Sequence, residues 1–336
     1  MTTSPGPKGR KKVRKSVKKK PKSGKTMSVP KGRKTARKQP VPDRTILTPP
    51  RIDRDKCTGC GICAKVCVTF EMRGKSVAIV HPEFCIHCGA CGSVCPSRAI
   101  QDTSAVPNRL TKKDRELLPS PESLQFLFRS RRSVRVLKRD KPISKADMDK
   151  ILDACRYTPT GLNCQDINYI VIDNPRKIDE LREMAMPAVE RLFGMAERVA
   201  SIPVLGRQLM GDQFVENVKT LFAPGIKNDF EHTRRGNDRL FFHAPAIMLV
   251  HGEKMDDMAF SCAVALFNGS LMAHTLGIGC CMNGFLVLCA TRDRKIKHWL
   301  GIPRKHKCYG AMTLGYQGVK YNSLVRRNPP KVKYLR

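Results

Sequence analysis

A chain of 336 residues with 41% hydrophobic side chains is long enough for two domains and a sizeable core. Its formal charge of +34 favours acidic or anionic partners without choosing among them. No apolar stretch follows the basic N-terminus and no run approaches the roughly 18 apolar residues of a membrane span, which argues against a secretory leader and a transmembrane helix.

Residues 1–50 read as a disordered basic tail. Residues 1–45 alone hold 17 of the 63 lysines and arginines and one acid, Asp43. So polar a segment buries too little apolar surface to offset the entropy of ordering. Charge by itself gives non-specific attraction, and the tail has no aromatic side chain to stack on bases. It is expected to solubilise the chain rather than to bind nucleic acid.

Residues 51–100 carry eight of the fifteen cysteines, in two sets. The first is Cys57-x2-Cys60-x2-Cys63-x3-Cys67 and the second is Cys85-x2-Cys88-x2-Cys91-x3-Cys95, followed by Pro96. Clustered cysteines without a leader point to metal rather than to disulfides, and to a reducing cytoplasm. Three thiolates at intervals of three residues let one tight loop wrap one face of an inorganic cubane. The glycines at 59, 61, 89 and 92 allow the close backbone approach this needs. Zinc uses C-x2-C pairs as well, but the duplicated eight-cysteine pattern ending in Cys-Pro favours iron–sulfur clusters. Between the sets, Ser76-Val77-Ala78-Ile79-Val80 alternates as a strand does. The unit therefore reads as ligand loop, helix, ligand loop, helix.

Over residues 51–100 the sequence resembles the bacterial two-cluster ferredoxins. In that family the fourth thiolate of each set starts a helix and ligates the other cluster. The resemblance thus assigns Cys57, Cys60, Cys63 and Cys95 to one 4Fe–4S cluster and Cys85, Cys88, Cys91 and Cys67 to the second. Val68 stands where the family has a proline after the fourth cysteine, a change at a helix start and not at a ligand. His87, between Cys85 and Cys88, reads as a loop side chain and not as a ligand.

Residues 101–122 form a polar, proline-containing linker, and a second domain runs over 123–336. Ser144-Lys145-Ala146-Asp147 starts a helix with Ile151, Leu152 and Cys155 on one face, which ends near Thr158-Pro159. Tyr169–Asp173 predicts a strand and Lys177–Ala185 a helix. Phe241–Val250 has the length of a buried strand with its approach. Asp256 and Asp257 begin a long helix of apolar and small residues reaching Leu276; their charge suits its N-terminus, and Gly277 and Gly279 suit its end. Ala311–Tyr316 is a late strand. Strands separated by helices indicate an α/β or α+β domain.

Four motifs in this domain carry chemistry. Arg131-Arg132-Ser133-Val134-Arg135 places three guanidiniums and a hydroxyl where they can fork onto phosphate oxygens. Thr158-Pro159-Thr160-Gly161-Leu162-Asn163-Cys164-Gln165 offers hydroxyl, amide and backbone donors in one tight loop. Gly277 to Phe285 reads as a glycine-bearing turn whose N–H groups can approach a ring nitrogen. Leu314-Gly315-Tyr316 is followed by Arg326-Arg327-Asn328-Pro329. Apart from Cys164, which lies in the second motif, the cysteines at 155, 262, 280, 281, 289 and 308 sit in apolar runs and read as small buried hydrophobes.

In this order the motifs resemble the nitroreductase family of flavin enzymes. The resemblance implies an α+β fold, a central mixed sheet flanked by helices, in a homodimer that binds FMN at its interface and exchanges terminal segments. It assigns Arg131, Arg132, Ser133 and Arg135 to the FMN phosphate and ribityl chain, with Arg327, or less readily Arg326, closing that site. Thr160, Gly161 and Asn163 would approach the flavin from the partner subunit. Asn237 would lie near the pyrimidine edge of the ring, and Asn283 and Gly284 near its N5. The loop reads Gln165-Asp166 where the family has Gln-Pro; Asn283 replaces an acid and Leu240 a lysine. The catalysis implied is flavin-based, with no obligatory protein nucleophile. Residues 186–236 match the variable excursion that shapes the substrate pocket. Electrons entering singly through the clusters would reduce FMN, which would then reduce a nitro, quinone or enone acceptor, with a reduced ferredoxin or other redox protein as donor. The alternatives are NAD(P)H oxidation with the clusters as the way out, and a non-catalytic electron carrier.

Overall fold

The computed structural model describes residues 49–101, 110–202, 216 and 223–336. The expected basic tail lies outside the described residues apart from its last two positions, as do residues 102–109 of the linker and 203–215 and 217–222 of the variable excursion. All described residues belong to one compact unit.

The cysteine-rich module is closed at its ends by β1 (Arg51–Ile52) pairing antiparallel with β4 (Ile100–Gln101). Between them lie α1 (Ile62–Val66), a hairpin of β2 (Phe70–Arg73) and β3 (Ser76–Ile79), and α2 (Ala90–Val94). Its core is small: Phe70, Val77 and Ile100 pack with the ligand candidates Cys63 and Cys91. One local expectation is corrected here. The fourth cysteine of each set ends a helix rather than starting one, Cys67 N–H donating to Cys63 O at 3.1 Å and Cys95 N–H to Gly92 O at 3.4 Å. The reason is the left-handed glycine before each helix, Gly61 (φ 71°) and Gly89 (φ 72°), which turns the chain into a helix two residues ahead of the third cysteine. Val68 is accordingly an exposed residue after a helix, not at the start of one.

The linker is not featureless. Thr111 and Asp114 form a reciprocal capping box on the short helix α3 (Lys112–Arg115), and α4 (Pro121–Ser130) already begins the second domain, capped by Ser120.

That domain is built on a sheet in the order β5-β6-β8-β7, where β5 is Asn168–Ile172, β6 Ala246–Glu253, β7 Ile278–Met282 and β8 His306–Tyr316. Every pair of named strands is antiparallel. Among the described residues the parallel component of the expected mixed sheet is a single bridge, Ser133 to Cys280. Strand β6 explains the layering. Met248 and Val250 face a core with Ile151 and Cys155 of α5 (Lys145–Arg156) and Cys262 and Leu266 of α8 (Asp256–Thr275). Ile247 and Leu249 face the opposite core, with Leu181 of α6 (Pro175–Ser201), Phe230 of α7 (Ala223–Arg234), Leu286 of α9 (Gly284–Arg292) and Ile296 of α10 (Arg294–Trp299). Burial on both faces is why this strand reads as a continuous apolar run instead of an alternating one.

Ser144 caps α5 as the sequence predicts, its hydroxyl accepting from Asp147 N–H at 3.1 Å. Two expectations change. Helix α6 does not stop before Pro187 but runs on to Ser201; Ala185, Ala188 and Val189 are fully buried around the proline, so packing outweighs the lost backbone bond. Gly279 does not end α8. It lies inside β7, and the turn expected over Gly277–Phe285 is a strand followed by the first turn of α9. A Cβ at Gly279 would stand 2.8 Å from the Cβ of Val134, so the glycine lets the arginine-rich segment lie against the sheet edge.

Candidate cofactor site

In the module, Cys57, Cys60, Cys63 and Cys95 line one small cavity together with Ile62, Val77 and Pro96. The first three thiols of one set and the fourth of the other therefore surround a common space, the arrangement the cluster assignment requires. Among the described residues no three His, Cys, Asp or Glu side chains converge on a point to hold a single ion; the four thiols ring a cavity instead. In the second set Cys91 is buried, Cys85 half-buried and Cys88 exposed, and Cys67 packs against the module core. The His87 Nδ1 stands 3.9 Å from Cys85 Sγ, beside a ligand candidate. The four thiols around the common cavity fit an iron–sulfur cluster.

The phosphate-cradle candidates follow α4 directly. The segment is tied to the sheet by Val134 N–H donating to Cys280 O at 2.9 Å and Lys138 N–H to Tyr316 O at 2.8 Å. Arg132 stacks over the Tyr321 ring at 4.2 Å, Arg131 stands 5.9 Å from the Phe267 ring, and Arg135 stands 5.9 Å from the Phe242 ring. Among the described residues none of the three guanidiniums pairs with a carboxylate, which leaves them suited to an anion. Arg135 lines a cavity of about 490 Å³ with Leu240, Phe242, Cys281, Asn283 and Gly284, a size in the range of small-ligand pockets.

Asn283 and Gly284 thus meet Arg135 at one cavity, while Arg131, Arg132 and Ser133 do not line it. The Asn283 side chain is internally engaged: Oδ1 accepts from Leu286 N–H at 2.9 Å, capping α9, and Nδ2 donates to Leu240 O at 2.6 Å. What it presents to the cavity is therefore the first turn of α9. Asn237 is exposed, follows α7 and does not line this cavity. Arg326 and Arg327 lie in the exposed C-terminal segment. Thr160, Gly161 and Asn163 form a separate loop against α8: Gly161 lies beside Asp257 in its first turn, and farther along the helix Asn268 Nδ2 donates to Thr158 Oγ1 at 3.2 Å. Within one chain that loop and the arginine cradle are not brought together in the cavity.

Asp238 is a residue that motif reading misses. Its buried carboxylate accepts from the N–H groups of Leu240, Phe241 and His243 at 3.0, 2.9 and 3.2 Å, and pairs with Arg182 at 3.4 Å. It folds the turn that carries Leu240 and Phe242 to the cavity, with Phe242 (φ 59°) and His243 (φ 51°) in the left-handed region. A lone aspartate after a helix-ending glycine is a turn signal, but nothing local says what the turn will line.

The cysteines outside the module are of a different kind. Burial pushes the thiols of Cys155, Cys262 and Cys289 up to about 12 and those of Cys280 and Cys308 up to about 11. They stay protonated at neutral pH, in keeping with the apolar runs around them. Cys164 alone of this group is half-buried.

The Nitroreductase family model matches residues 128–316, and the 4Fe-4S dicluster domain model matches residues 49–96. The chain belongs to the nitroreductase family and carries a 4Fe–4S domain ahead of its flavoenzyme fold. It is a flavin-dependent oxidoreductase of that family. Among solved structures it is similar to a nitroreductase with bound FMN from Bacteroides fragilis, at 24% identity over 62% of this chain and 94% of that one, TM-score 0.41. A nitroreductase with bound FMN from Desulfitobacterium hafniense matches at 21% identity over 63% and 97%, TM-score 0.45. A BluB-like flavoprotein from Clostridium difficile matches at 18% identity over 62% and 99%, TM-score 0.46. The search of curated proteins finds no match. No helix among the described residues is long and apolar enough to cross a membrane.

Proposed function

We propose that this protein is an FMN-dependent oxidoreductase in which two 4Fe–4S clusters relay single electrons to the flavin, which passes them as a pair to an electron-poor organic acceptor of the nitro, quinone or enone type. The observation that carries this reading is direct contact between the two modules: Asn163, in the candidate flavin loop, hydrogen-bonds to the ligand loop of the second cysteine set. A one-electron carrier bonded to a two-electron carrier suits stepwise loading of a flavin. Arg131, Arg132, Ser133 and Arg135 would bind its phosphate and ribityl chain, with Arg327 closing the site. Asn283 and Gly284 would hold the ring at the start of α9, with Asn237 at its pyrimidine edge. Thr160, Gly161 and Asn163 would reach it from the second copy of a homodimer. The separation of that loop from the cradle within one chain favours such a dimer. A cytoplasmic location and a reduced ferredoxin or similar redox protein as donor complete the proposal.

The anaerobically purified protein is expected to contain about eight iron atoms and about one FMN per chain, and its flavin should be bleached by a one-electron donor that first bleaches the clusters. Rapid bleaching by NAD(P)H, with the clusters reduced only afterwards, would reverse the direction. Zinc without flavin would overturn the proposal.

A further inference from the structure

Among the described residues, Asn163 is the side chain of the loop Thr160–Cys164 that hydrogen-bonds to the iron–sulfur module. Asn163 Nδ2 donates to the carbonyl of Ile86 at 3.1 Å and to that of His87 at 3.0 Å. Its Oδ1 accepts from Gln165 Nε2 at 3.1 Å, and Gln165 N–H donates to Thr160 Oγ1 at 2.9 Å, which closes the loop on itself. Gly161 backs onto α8 so closely that a Cβ there would collide with the Asp257 carboxylate. Ile86 and His87 are the two residues between Cys85 and Cys88, so both donors of one amide are committed to a single ligand loop.

The backbone on both sides of this contact is held in an uncommon state. His87 (φ 51°), Leu162 (φ 47°), Asn163 (φ 55°) and Gln165 (φ 51°) all occupy the left-handed region without being glycine. Such conformations persist where the surroundings over-determine them, and they cluster at functional sites. In a trans peptide the carbonyl and the following N–H point in opposite directions. With the carbonyls of Ile86 and His87 turned out toward Asn163, the N–H groups of His87 and Cys88 turn back toward the module. N–H groups aimed at cluster sulfurs are one of the levers that set a cluster's potential.

We propose that Asn163 is a positioning residue that latches the flavin-side loop to the second ligand loop. The cluster held by Cys85, Cys88, Cys91 and Cys67 is then the one that exchanges electrons with the flavin, and the cluster held by Cys57, Cys60, Cys63 and Cys95 is the outer one. This rests on the function proposed above but not on the direction of current. In one direction the cluster that Cys85, Cys88, Cys91 and Cys67 would hold would supply one electron per transfer and return to its oxidised form; two transfers with two protons from solvent would reduce one flavin. The electrons come from a low-potential one-electron donor such as a ferredoxin-type protein. With NAD(P)H as donor the same two electrons leave through the same cluster.

The test compares wild type, Asn163→Ala and Asn163→Asp as full-length holoproteins with iron, sulfide and flavin measured. Ile86→Ala, which keeps the backbone carbonyl, serves as control. Hydrogen exchange at 85–88 and 161–165 is expected to quicken about fivefold to tenfold in both Asn163 variants and to stay unchanged in the control. In a redox titration the potential of one cluster should move while the other stays. After rapid reduction by a viologen radical, electron transfer from cluster to flavin should slow severalfold. Unchanged exchange would overturn the latch. Faster exchange with undiminished transfer, or with both potentials unmoved, would overturn the assignment of the inner cluster. If clusters and flavin exchange no electrons even in wild type, the proposed function and the inner-cluster assignment both fail, while the hydrogen-exchange result still decides the latch.

Discussion

The iron–sulfur module and the flavin domain use the same residue, cysteine, to opposite ends. In the module the thiols at 57, 67, 85 and 95 are half-buried and those at 60 and 88 exposed; the two that are buried, Cys63 and Cys91, make up part of a core that otherwise holds Phe70, Val77 and Ile100. In the flavin domain Cys155, Cys262, Cys280, Cys289 and Cys308 are buried in apolar layers on either side of a sheet, with their thiols held protonated. The difference lies in how much apolar surface each region can hide. About 50 residues cannot build a large core, and small modules lean on disulfides or metal for stability. A domain sealed on both faces of its sheet needs no such help, and its cysteines serve as packing.

This contrast sets the expected outcomes. The largest effect should come from iron. Removing it by chelation, or replacing Cys91 by Ser, is expected to abolish hydrogen-exchange protection over residues 51–101 while β5 and β6 stay protected; a module that kept its protection without iron would break the comparison. Next is Leu249→Ala in the flavin domain, a fully buried strand residue, which should cost about 2–5 kcal/mol in chemical denaturation without altering the cluster spectrum. Gly279→Ala forces a methyl group against Val134 and should cost about 1–3 kcal/mol. It should also raise flavin release measured by ultrafiltration, because the segment it displaces carries Arg131 to Arg135.

The smallest effect is a pH dependence confined to the flavin domain. His251 is buried in β6, its Nδ1 3.0 Å from that of His306, and its pKa is lowered by burial first, then by His306 and Lys297. The unfolded chain therefore binds the proton more readily than the folded one. Stability should be intact above the ordinary histidine value of about 6.5 and fall as pH drops below it through the depressed value. His251→Asn should flatten that fall in a series of thermal melts, and an unchanged slope would assign the effect to other groups.

Much of this was legible in the order of residues, wherever the signal is local. The eight spaced cysteines, the Ser144 cap and the apolar faces of α5 and β6 each depend on neighbours a few positions away, and local spacing is what a helix, a strand or a ligand loop reads. The arginine segment is readable as a candidate anion site for the same reason. Where the sequence reading erred, a distant contact had overruled a local preference. Pro187 stays inside α6 because a core covers it, and Gly279 belongs to a strand because Val134 packs where its Cβ would be.

What the amino-acid order determined by itself was the pair of modules, the spacing of the candidate cysteine ligands and the class of cofactor each module could hold. Only the tertiary structure decided which of these parts touch. Asn163 and the Ile86–His87 carbonyls lie 77 and 76 positions apart in the chain, and Asp238 folds a cavity wall around three backbone amides whose destination no motif announces. Hydrogen bonds between remote residues leave no periodicity in a sequence, so they become visible only once packing has set the distances.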